Sequence, residues 1–182
     1  MKALVTGGAG FIGSNIVKML LDKGWAVRVI DDLSSGHACN LKPFDVDFRQ
    51  GDIRDAAFVE RACEGVDAVF HLAACVGRQK SLDHPQTDSE INLLGAVNVL
   101  EGMRKHNVPK IVYSSSAAIF GELLTPTIDE DHPQNADSPY GVSKLAAEKM
   151  ILAYEGIYGI KSVCLRYFNI YGVNQRYDLY GN

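Results

Sequence analysis

Tyr140 and Lys144 are the two residues whose types and spacing point most directly to proton transfer. Ser138 and Pro139, just before them, predict the N-cap and first position of a helix that runs to about Tyr158. Residues four apart in a helix share a face, and a lysine ammonium beside a phenol lowers the pKa of the phenol from about 10. We therefore predict that Tyr140 is a general acid/base. The alternative is a surface tyrosine beside a solvated lysine on an amphipathic helix.

Three consecutive serines, Ser114, Ser115 and Ser116, form a second candidate site. They follow an apolar run, Lys110–Tyr113, which predicts a β-strand. Ligands bind at the carboxyl edge of a parallel sheet, so a hydroxyl at the end of this strand can bond a substrate oxygen. A serine run by itself is more often a turn. Together with the tyrosine and the lysine, it favours a functional hydroxyl.

A glycine-rich stretch, residues 7–13, follows the first predicted strand, Lys2–Thr6. The next residues predict a helix that ends at Gly24, and a second strand is predicted over Trp25–Ile30. Glycines in this strand–loop–helix–strand context let the backbone approach a pyrophosphate, and the amide groups at the helix start bind its charge. The stretch therefore predicts a dinucleotide site.

The second predicted strand is followed by Asp31, a carboxylate about 20 residues after the glycines, where the adenosine ribose is bound in such sites. A carboxylate bonds the ribose hydroxyls and repels a 2′-phosphate, so the sequence favours NAD over NADP. The alternative is a structural glycine turn with an incidental aspartate. The glycine spacing fits GxGxxG through Gly8 and GxxGxxG through Gly7, so the glycines alone do not distinguish the dehydrogenase superfamilies.

Two further strand ends carry candidate cofactor contacts. A short strand at 46–48 precedes Asp52, which either accepts a bond from the adenine amino group or serves as an N-terminal acid for the helix predicted over Asp55–Cys63. A strand at Ala68–Leu72 runs into Ala73 and Ala74, whose small side chains allow a ribose to lie against the backbone. We interpret His71 as a structural residue.

The remaining predicted elements complete an α/β pattern. A long helix is predicted over Pro85–His106, with Asn92 and Gly95 near its middle suggesting close packing or a bound water. A polar loop over Gly121–Asp137 could cover a site, and a last strand is predicted over Lys161–Leu165. The last ten residues show no pattern of an element. Alternating strands and helices of this kind predict a doubly wound parallel sheet of the Rossmann type.

Composition excludes several classes of protein. The chain has 182 residues and a formal net charge of −4, which gives no electrostatic footprint for nucleic acid or an acidic membrane. No apolar run is long enough to span a membrane. The four cysteines lie apart, without metal-ligand spacing: Cys39, Cys63, Cys75 and Cys164. We expect reduced thiols, a cytoplasmic location and no bound metal.

Seven stretches together resemble the extended short-chain dehydrogenases/reductases, in the NAD-dependent epimerase/dehydratase family, and within it most closely the UDP-glucose (UDP-galactose) 4-epimerases. They are LVTGGAGFIG (4–13), DDLSSGH (31–37), GDIRD (51–55), HLAA (71–74), YSSSAAIFG (113–121), SPYGVSK (138–144) and LRYFNIYG (165–172). The resemblance implies a Rossmann-type NAD-binding domain over residues 1–182. It also implies a nucleotide-sugar 4-epimerase that works through a 4-keto intermediate.

The resemblance assigns a role to individual residues. Tyr140 is implied as the catalytic base, Lys144 as its partner and as a ribose ligand, and Ser116 as the hydroxyl that bonds the reacting sugar oxygen. Asn169 is implied in binding the nucleotide-sugar diphosphate, as a substrate contact beside Ser116 and Tyr140. The residues implied in NAD binding are Gly7, Gly10, Phe11, Ile12, Gly13, Asp31, Asp32, Ser35, Gly36, Asp52, Ile53, Leu72, Ala73, Ala74, the backbone of Cys75, Asn92, Ser114, Tyr140, Lys144 and Phe168.

Two differences from the family pattern bear on function. Phe120 stands where the epimerase motif usually has a tyrosine. Related dehydratases and decarboxylases carry an acid directly after the catalytic hydroxyl, where this chain has Ala117 and Ala118, so a 4,6-dehydratase or decarboxylase is the weaker alternative. A non-catalytic NAD-binding module is the alternative from another class.

Members of the family are roughly twice as long and carry a sugar-binding domain at the C-terminal end. We therefore expect the chain to be part of a longer protein whose substrate domain follows. A truncated form that binds NAD without turnover is the other interpretation. The two long helices, Pro85–His106 and Pro139–Tyr158, are expected to form a homodimer interface, as in relatives.

Overall fold

The computed structural model describes residues 1–175, and its centre is a six-stranded parallel sheet in the order β3-β2-β1-β4-β5-β6. The strands are β1 Lys2–Thr6, β2 Ala26–Asp31, β3 Asp47–Gln50, β4 Ala68–His71, β5 Lys110–Ser116 and β6 Lys161–Tyr167. The helices are α1 Phe11–Asp22, α2 Ala56–Cys63, α3 Arg78–Asp83, α4 Pro85–Ser89, α5 Gly95–Lys105 and α6 Pro139–Tyr158. This confirms the predicted doubly wound α/β fold.

Both faces of the sheet are covered because successive residues of a strand point to opposite sides. Leu4 of β1 belongs to a core with α2, α5 and α6. Its neighbours Ala3 and Val5 belong to a second core with α1. The apolar run at the start of the chain is therefore buried on both sides, as expected for a central parallel strand.

The strand order reverses between β1 and β4. Thr6 at the end of β1 lies beside Ile30 of β2 on one side and beside His71 of β4 on the other. The carboxyl ends of the parallel strands lie at one edge of the sheet, and the crevice at the point of reversal is where such sheets bind ligands.

Helix α6 has the bounds that its sequence predicts. The Ser138 hydroxyl accepts a bond from the Gly141 amide at 3.2 Å and caps the N-terminus, with Pro139 at the first position. Gly159 ends the helix with a φ of 72°, a left-handed conformation that favours glycine.

The prediction of one long α-helix over Pro85–His106 is wrong in detail. Between α4 and α5, residues Glu90–Leu94 form a π-helical segment. Asn92 in that segment directs its side chain to the Cys75 backbone, and Gly95 packs against Ile53, where a Cβ would lie 2.5 Å from the side chain. The close packing that the two residues suggest is therefore present.

Helix α3 has no counterpart among the predicted elements. It has six residues, Arg78–Asp83, and begins after Gly77, whose φ is 115°. A helix of less than two turns is too short to show an apolar period. The loop predicted after Asp32 likewise contains a short 3₁₀ turn, Ala38–Leu41.

Several strand ends differ from their predicted positions by one to three residues. The largest difference is in β5, which includes the three serines because Ser114–Ser116 pair with Leu165–Tyr167 of β6. Polar residues extend a strand here because a neighbouring strand satisfies their backbone groups.

The prediction that the last ten residues form no element concerns 173–182, of which 176–182 lie outside the described residues. No helix within residues 1–175 is long and apolar enough to cross a membrane.

Candidate active site

The glycine-rich stretch lies at the point where the strand order reverses. Gly7, with a φ of 68°, approaches β4 so closely that a Cβ would lie 2.7 Å from the Ala73 nitrogen. A Cβ on Gly13 would overlap the Gly7 carbonyl oxygen and lie 2.7 Å from the Gly8 Cα. Helix α1 begins directly after Gly10, which has no side chain to cap its first-turn amides. These amides are suited to bind an anionic group such as a pyrophosphate. They include the amides of Phe11 and Ile12, two of the residues implied in NAD binding.

Asp31 lies at the end of β2 beside this glycine loop. Its carboxylate accepts bonds from the Ala9 amide at 2.9 Å and the Leu33 amide at 2.8 Å. Burial raises the pKa of Asp31, and these two backbone bonds act in the opposite direction. Each carboxylate oxygen can accept a further bond, so the side chain is fixed and can still bind a hydroxyl.

The residues after Asp31 form the outer wall of this part of the crevice. The Asp32 carboxylate accepts bonds from the Ser34 amide and hydroxyl. Ser35 is exposed, whereas Gly36 is buried against the glycine loop, where a Cβ would lie 2.9 Å from the Ala9 carbonyl carbon. A side chain at position 36 would therefore displace the glycine loop.

Asp52 follows β3 and is held by Arg54, whose Nε donates to its carboxylate at 2.9 Å. This bond lowers the pKa of Asp52. The N-terminal acid of α2 is Asp55, which accepts from the Phe58 amide at 3.0 Å, so that alternative for Asp52 is wrong. The Ile53 side chain is buried and packs against α5. Any contact of Ile53 with a ligand at this edge is therefore through its backbone.

The end of β4 is fixed by Thr6 and His71. The Thr6 hydroxyl oxygen accepts bonds from the Leu72 and Ala73 amides, both at 3.1 Å, and lies 2.7 Å from His71 Nδ1. Burial lowers the pKa of His71 to about 3, and its ring stacks on Tyr113. His71 is therefore a core residue, in agreement with the structural interpretation.

Asn92 lies behind the site. Its amide oxygen accepts from the Cys75 amide at 2.8 Å, and its nitrogen donates to the Cys75 carbonyl, to Asp88 and to Ser143. The side chain is 2% exposed. Its hydrogen-bonding groups are thus engaged inside the protein, and Asn92 positions the backbone of Cys75.

The carboxyl end of β5 lies beside the start of α6 and brings together Ser116, Tyr140 and Lys144. The Ser116 hydroxyl accepts from the Ala118 amide at 3.2 Å and lies close enough to the Tyr140 phenol to favour its charged form. Lys144 is buried, and its Nζ donates to the Ser114 carbonyl at 2.7 Å. The structure therefore brings the three predicted catalytic residues together.

The electrostatics of this trio differ from the sequence prediction. Burial raises the pKa of Tyr140, an effect that the Ser116 hydrogen bond partly offsets. Burial lowers the pKa of Lys144 to about 8. The expectation that Lys144 lowers the pKa of Tyr140 is thus wrong for this structure, because both groups are removed from water and the lysine faces a carbonyl. Ser116, not the lysine, is the group that favours the phenolate.

Phe168 and Asn169 follow the end of β6, at the same edge of the sheet. Phe168 is half exposed, and Asn169 lines a surface pocket of about 380 Å³ together with Ile170 and Tyr171. Within residues 1–175, no three His, Cys, Asp or Glu side chains form a group that could hold a metal ion.

Two buried carboxylates beside the site were missed by the sequence analysis. Asp88 accepts bonds from Ser143 at 2.5 Å and from Asn92. Glu148 accepts from Ser115 at 2.6 Å and from Arg166 at 2.8 Å. A signal existed for Glu148, because its spacing of four from Lys144 places it on the same helical face.

Comparison with known proteins gives a consistent set of relatives. Residues 3–180 match the NAD dependent epimerase/dehydratase family. A putative UDP-glucose 4-epimerase of Methanocaldococcus jannaschii is 44% identical over 174 residues, which are 94% of this chain and 57% of that protein. The chain spans about half the length of the curated relatives it matches.

Solved structures agree with the sequence relatives. The UDP-glucose 4-epimerase of Thermus thermophilus, in complex with NAD, is 43% identical with a TM-score of 0.91 over 98% of this chain and 58% of its own. The UDP-glucose 4-epimerase of Thermotoga maritima with UDP-glucose is 38% identical with a TM-score of 0.92, over 97% of this chain and 58% of its own.

Proposed function

The chain belongs to the NAD dependent epimerase/dehydratase family, and from this premise we propose that it forms the NAD-binding domain of a nucleotide-sugar 4-epimerase. The substrates proposed are UDP-glucose and UDP-galactose, because the relatives named above are UDP-glucose 4-epimerases. The observation that carries the proposal is the meeting of Ser116, Tyr140 and Lys144 at the sheet edge that also holds the dinucleotide fingerprint.

The crevice fits NAD. The glycine loop leaves no room for a Cβ at Gly7 or Gly13, and the first-turn amides of α1 are suited to the pyrophosphate. The fixed Asp31 carboxylate is suited to the ribose hydroxyls and excludes a 2′-phosphate. The full set of NAD contacts proposed is the one that the sequence resemblance implies, with Ile53 acting through its backbone and Asn92 through Cys75. Held by these residues, NAD⁺ would supply a hydride acceptor, and its reduced form a hydride donor, for sugar C4.

The chain's own residues would transfer the proton of the sugar 4-hydroxyl. Tyr140 would take the proton of the sugar 4-hydroxyl as the phenolate, the form that Ser116 favours, and would later return it, while Ser116 would bond the same sugar oxygen. Lys144 is tied to the Ser114 carbonyl and binds the ribose next to it. Phe168 would lie beside the nicotinamide, and Asn169 would bind the diphosphate of the nucleotide sugar.

The 4,6-dehydratase alternative lacks a proton donor in the right place. Ala117 and Ala118 form the 3₁₀ turn directly after Ser116, where dehydration needs an acid. A methyl group cannot transfer a proton. Asp88 and Glu148, which do lie near the site, are buried and bonded to other residues.

A homodimer through α6 is part of the proposal. Val142, Leu152 and Ile157 on this helix are exposed by 53%, 44% and 70%. Three large apolar side chains on one helix support burial against a second copy.

The proposal is tested with the full-length protein, purified without added cofactor and incubated with UDP-galactose. Proton NMR of the anomeric and H4 signals is expected to show conversion to UDP-glucose. The Tyr140→Phe variant removes the general acid/base and should lower turnover by about 10³-fold while retaining bound NAD.

Tyr154→Phe is the matched control. This tyrosine lies on the same helix, and its hydroxyl donates to Glu101 at 2.7 Å, away from the trio, so turnover should stay unchanged. A 4-keto-6-deoxy product would refute the epimerase in favour of the dehydratase. No turnover of any nucleotide sugar by NAD-loaded protein would indicate a non-catalytic NAD-binding module.

A further inference from the structure

Glu148 and Arg166 form a largely buried ion pair next to the proposed catalytic residues, and the mechanism above does not use this pair. The Glu148 side chain is 1% exposed and that of Arg166 is 17% exposed. Arg166 Nη2 donates to one carboxylate oxygen at 2.8 Å, and Nε lies 3.3 Å from the same oxygen. Removing two charges from water costs free energy that only excellent geometry offsets. A gain in stability therefore does not by itself explain why the pair is present.

The carboxylate of Glu148 connects two elements of the site. Its second oxygen accepts a bond from the Ser115 hydroxyl at 2.6 Å. Ser115 is the neighbour of Ser116 in β5, and Glu148 follows Lys144 by one helical turn in α6. One buried carboxylate therefore fixes the strand that carries the hydroxyl relative to the helix that carries the base.

The guanidinium of Arg166 extends the connection to the loop over Gly121–Asp137. Its Nη1 donates to the Glu130 carbonyl at 2.7 Å. Its Cζ lies 5.3 Å from the centre of the Phe120 ring, at the start of the loop, and that ring packs edge-on against His132 within the loop. The planar fork of arginine can bind the carboxylate on one side and the carbonyl on the other, which the single ammonium of lysine cannot reproduce.

We propose that Arg166, anchored by Glu148, is a positioning residue that holds the loop over Gly121–Asp137 against the site and aligns Ser116 with Tyr140 for the nucleotide sugar. The proposal rests on the function proposed above. Arg166 acts through other residues and contacts neither the sugar nor NAD. Its removal should therefore affect sugar turnover far more than cofactor retention, because the glycine loop, Asp31 and Asp52, which supply most of the proposed NAD contacts, lie on the other half of the sheet.

The test is steady-state kinetics and bound NAD of the full-length Arg166→Met variant. Misplacement of reacting groups by about 1 Å can cost about 100-fold, so kcat/KM for UDP-galactose should fall by about 100-fold. Bound NAD per chain should fall by less than about 2-fold. Arg166→Lys, which keeps the charge but not the fork, should lose about 10-fold in kcat/KM.

Arg28→Met is the matched control. Arg28 is also a buried arginine that bonds one carboxylate, Asp47 at 2.7 Å, and a backbone carbonyl, Ala62 at 2.7 Å, but it joins β2 and β3 to α2. The Arg28→Met variant should have a lower free energy of unfolding than wild type and an unchanged kcat/KM. An equal loss of kcat/KM in both methionine variants, or an Arg166→Met variant with unchanged kcat/KM, would overturn the proposal.

Limited proteolysis gives a readout that does not depend on activity. A glutamyl endopeptidase should cleave after Glu122 and Glu130 about 10-fold faster in Arg166→Met than in Arg28→Met, because cleavage follows the local opening of the loop. If wild type turns over no nucleotide sugar, the proposed function fails, and this comparison alone decides whether Arg166 holds the loop. If Arg166→Met does not fold, the Arg166→Lys variant decides by the same two measurements.

Discussion

Burial acts on Tyr140 and Lys144 in opposite directions and favours the neutral form of each. The pKa of the phenol is raised, and that of the amine is lowered to about 8. Asp88 contributes in both cases, since its negative charge raises the pKa of both groups. Loss of hydration is therefore the main factor that determines the protonation states of Tyr140 and Lys144. Ser116 is the group that favours the phenolate of Tyr140.

The shift at Lys144 predicts a pH dependence of stability. Its native pKa of about 8 lies below the ordinary value of 10.5, so between these values the unfolded chain binds more protons than the native chain. Stability therefore rises with pH in this window. Urea unfolding of cofactor-free wild type and Lys144→Met should show the difference in their free energies of unfolding changing in favour of wild type by about 2 kcal/mol from pH 8 to pH 10. A difference that does not vary with pH would contradict a lowered pKa for the Lys144 amine.

At the residue level, local spacing was enough to find Ser116, Tyr140 and Lys144, but not their partners. The positions of Tyr140 and Lys144 on one helical face follow from a period of about 3.6 residues. Which groups surround them depends on elements far apart in the chain, such as Asn92 beside Ser143 or Glu148 beside Arg166. The sign of the Tyr140 pKa shift was predicted wrongly because its largest cause is burial, which depends on how such distant elements pack together.

Among the elements, the glycine loop and α1 show how packing restricts a sequence. Gly13 lets the first turn of α1 lie on the backbone of Gly7 and Gly8. Gly156, in the outer part of α6, has no atom within 4 Å of the place where its Cβ would be. Position 13 therefore has no room for a side chain, whereas position 156 has room for one.

These two positions give a paired prediction. Gly13→Ala forces α1 away from the glycine loop, so it should lose bound NAD and about 2 kcal/mol of stability, as overpacked sites do. Gly156→Ala should gain up to about 1 kcal/mol from helix propensity and keep its NAD. Urea unfolding and the NAD content of the purified proteins measure both effects. Retention of NAD by Gly13→Ala would contradict the proposed cofactor site.

The elements themselves were largely predictable, for identifiable reasons. Strong end signals, such as Ser138-Pro139 and Gly159 around α6, gave correct bounds. The π-helical segment Glu90–Leu94 was not predictable, since it arises where Asn92 bonds the Cys75 backbone. The extension of β5 through Ser116 likewise depends on β6, which is not visible from the serine run itself.

For the whole molecule, alternating strands and helices predicted the doubly wound sheet, and the strand order explains why the site residues meet. Residues from 7 to 169 come together because β1, β2, β4, β5 and β6 end at one edge. The dinucleotide fingerprint lies on one side of the order reversal and the catalytic trio on the other, so a ligand that spans the reversal contacts both.

The proposed epimerase requires that one sugar carbon is oxidised and then reduced again with NAD that stays bound. The most direct measurement uses UDP-galactose carrying deuterium at C4, incubated in ordinary water with the full-length protein and no added cofactor. Proton NMR should show UDP-glucose that retains the deuterium at C4, because the hydrogen leaves C4 and returns to the same carbon. Product in which C4 carries hydrogen from water would rule out this mechanism.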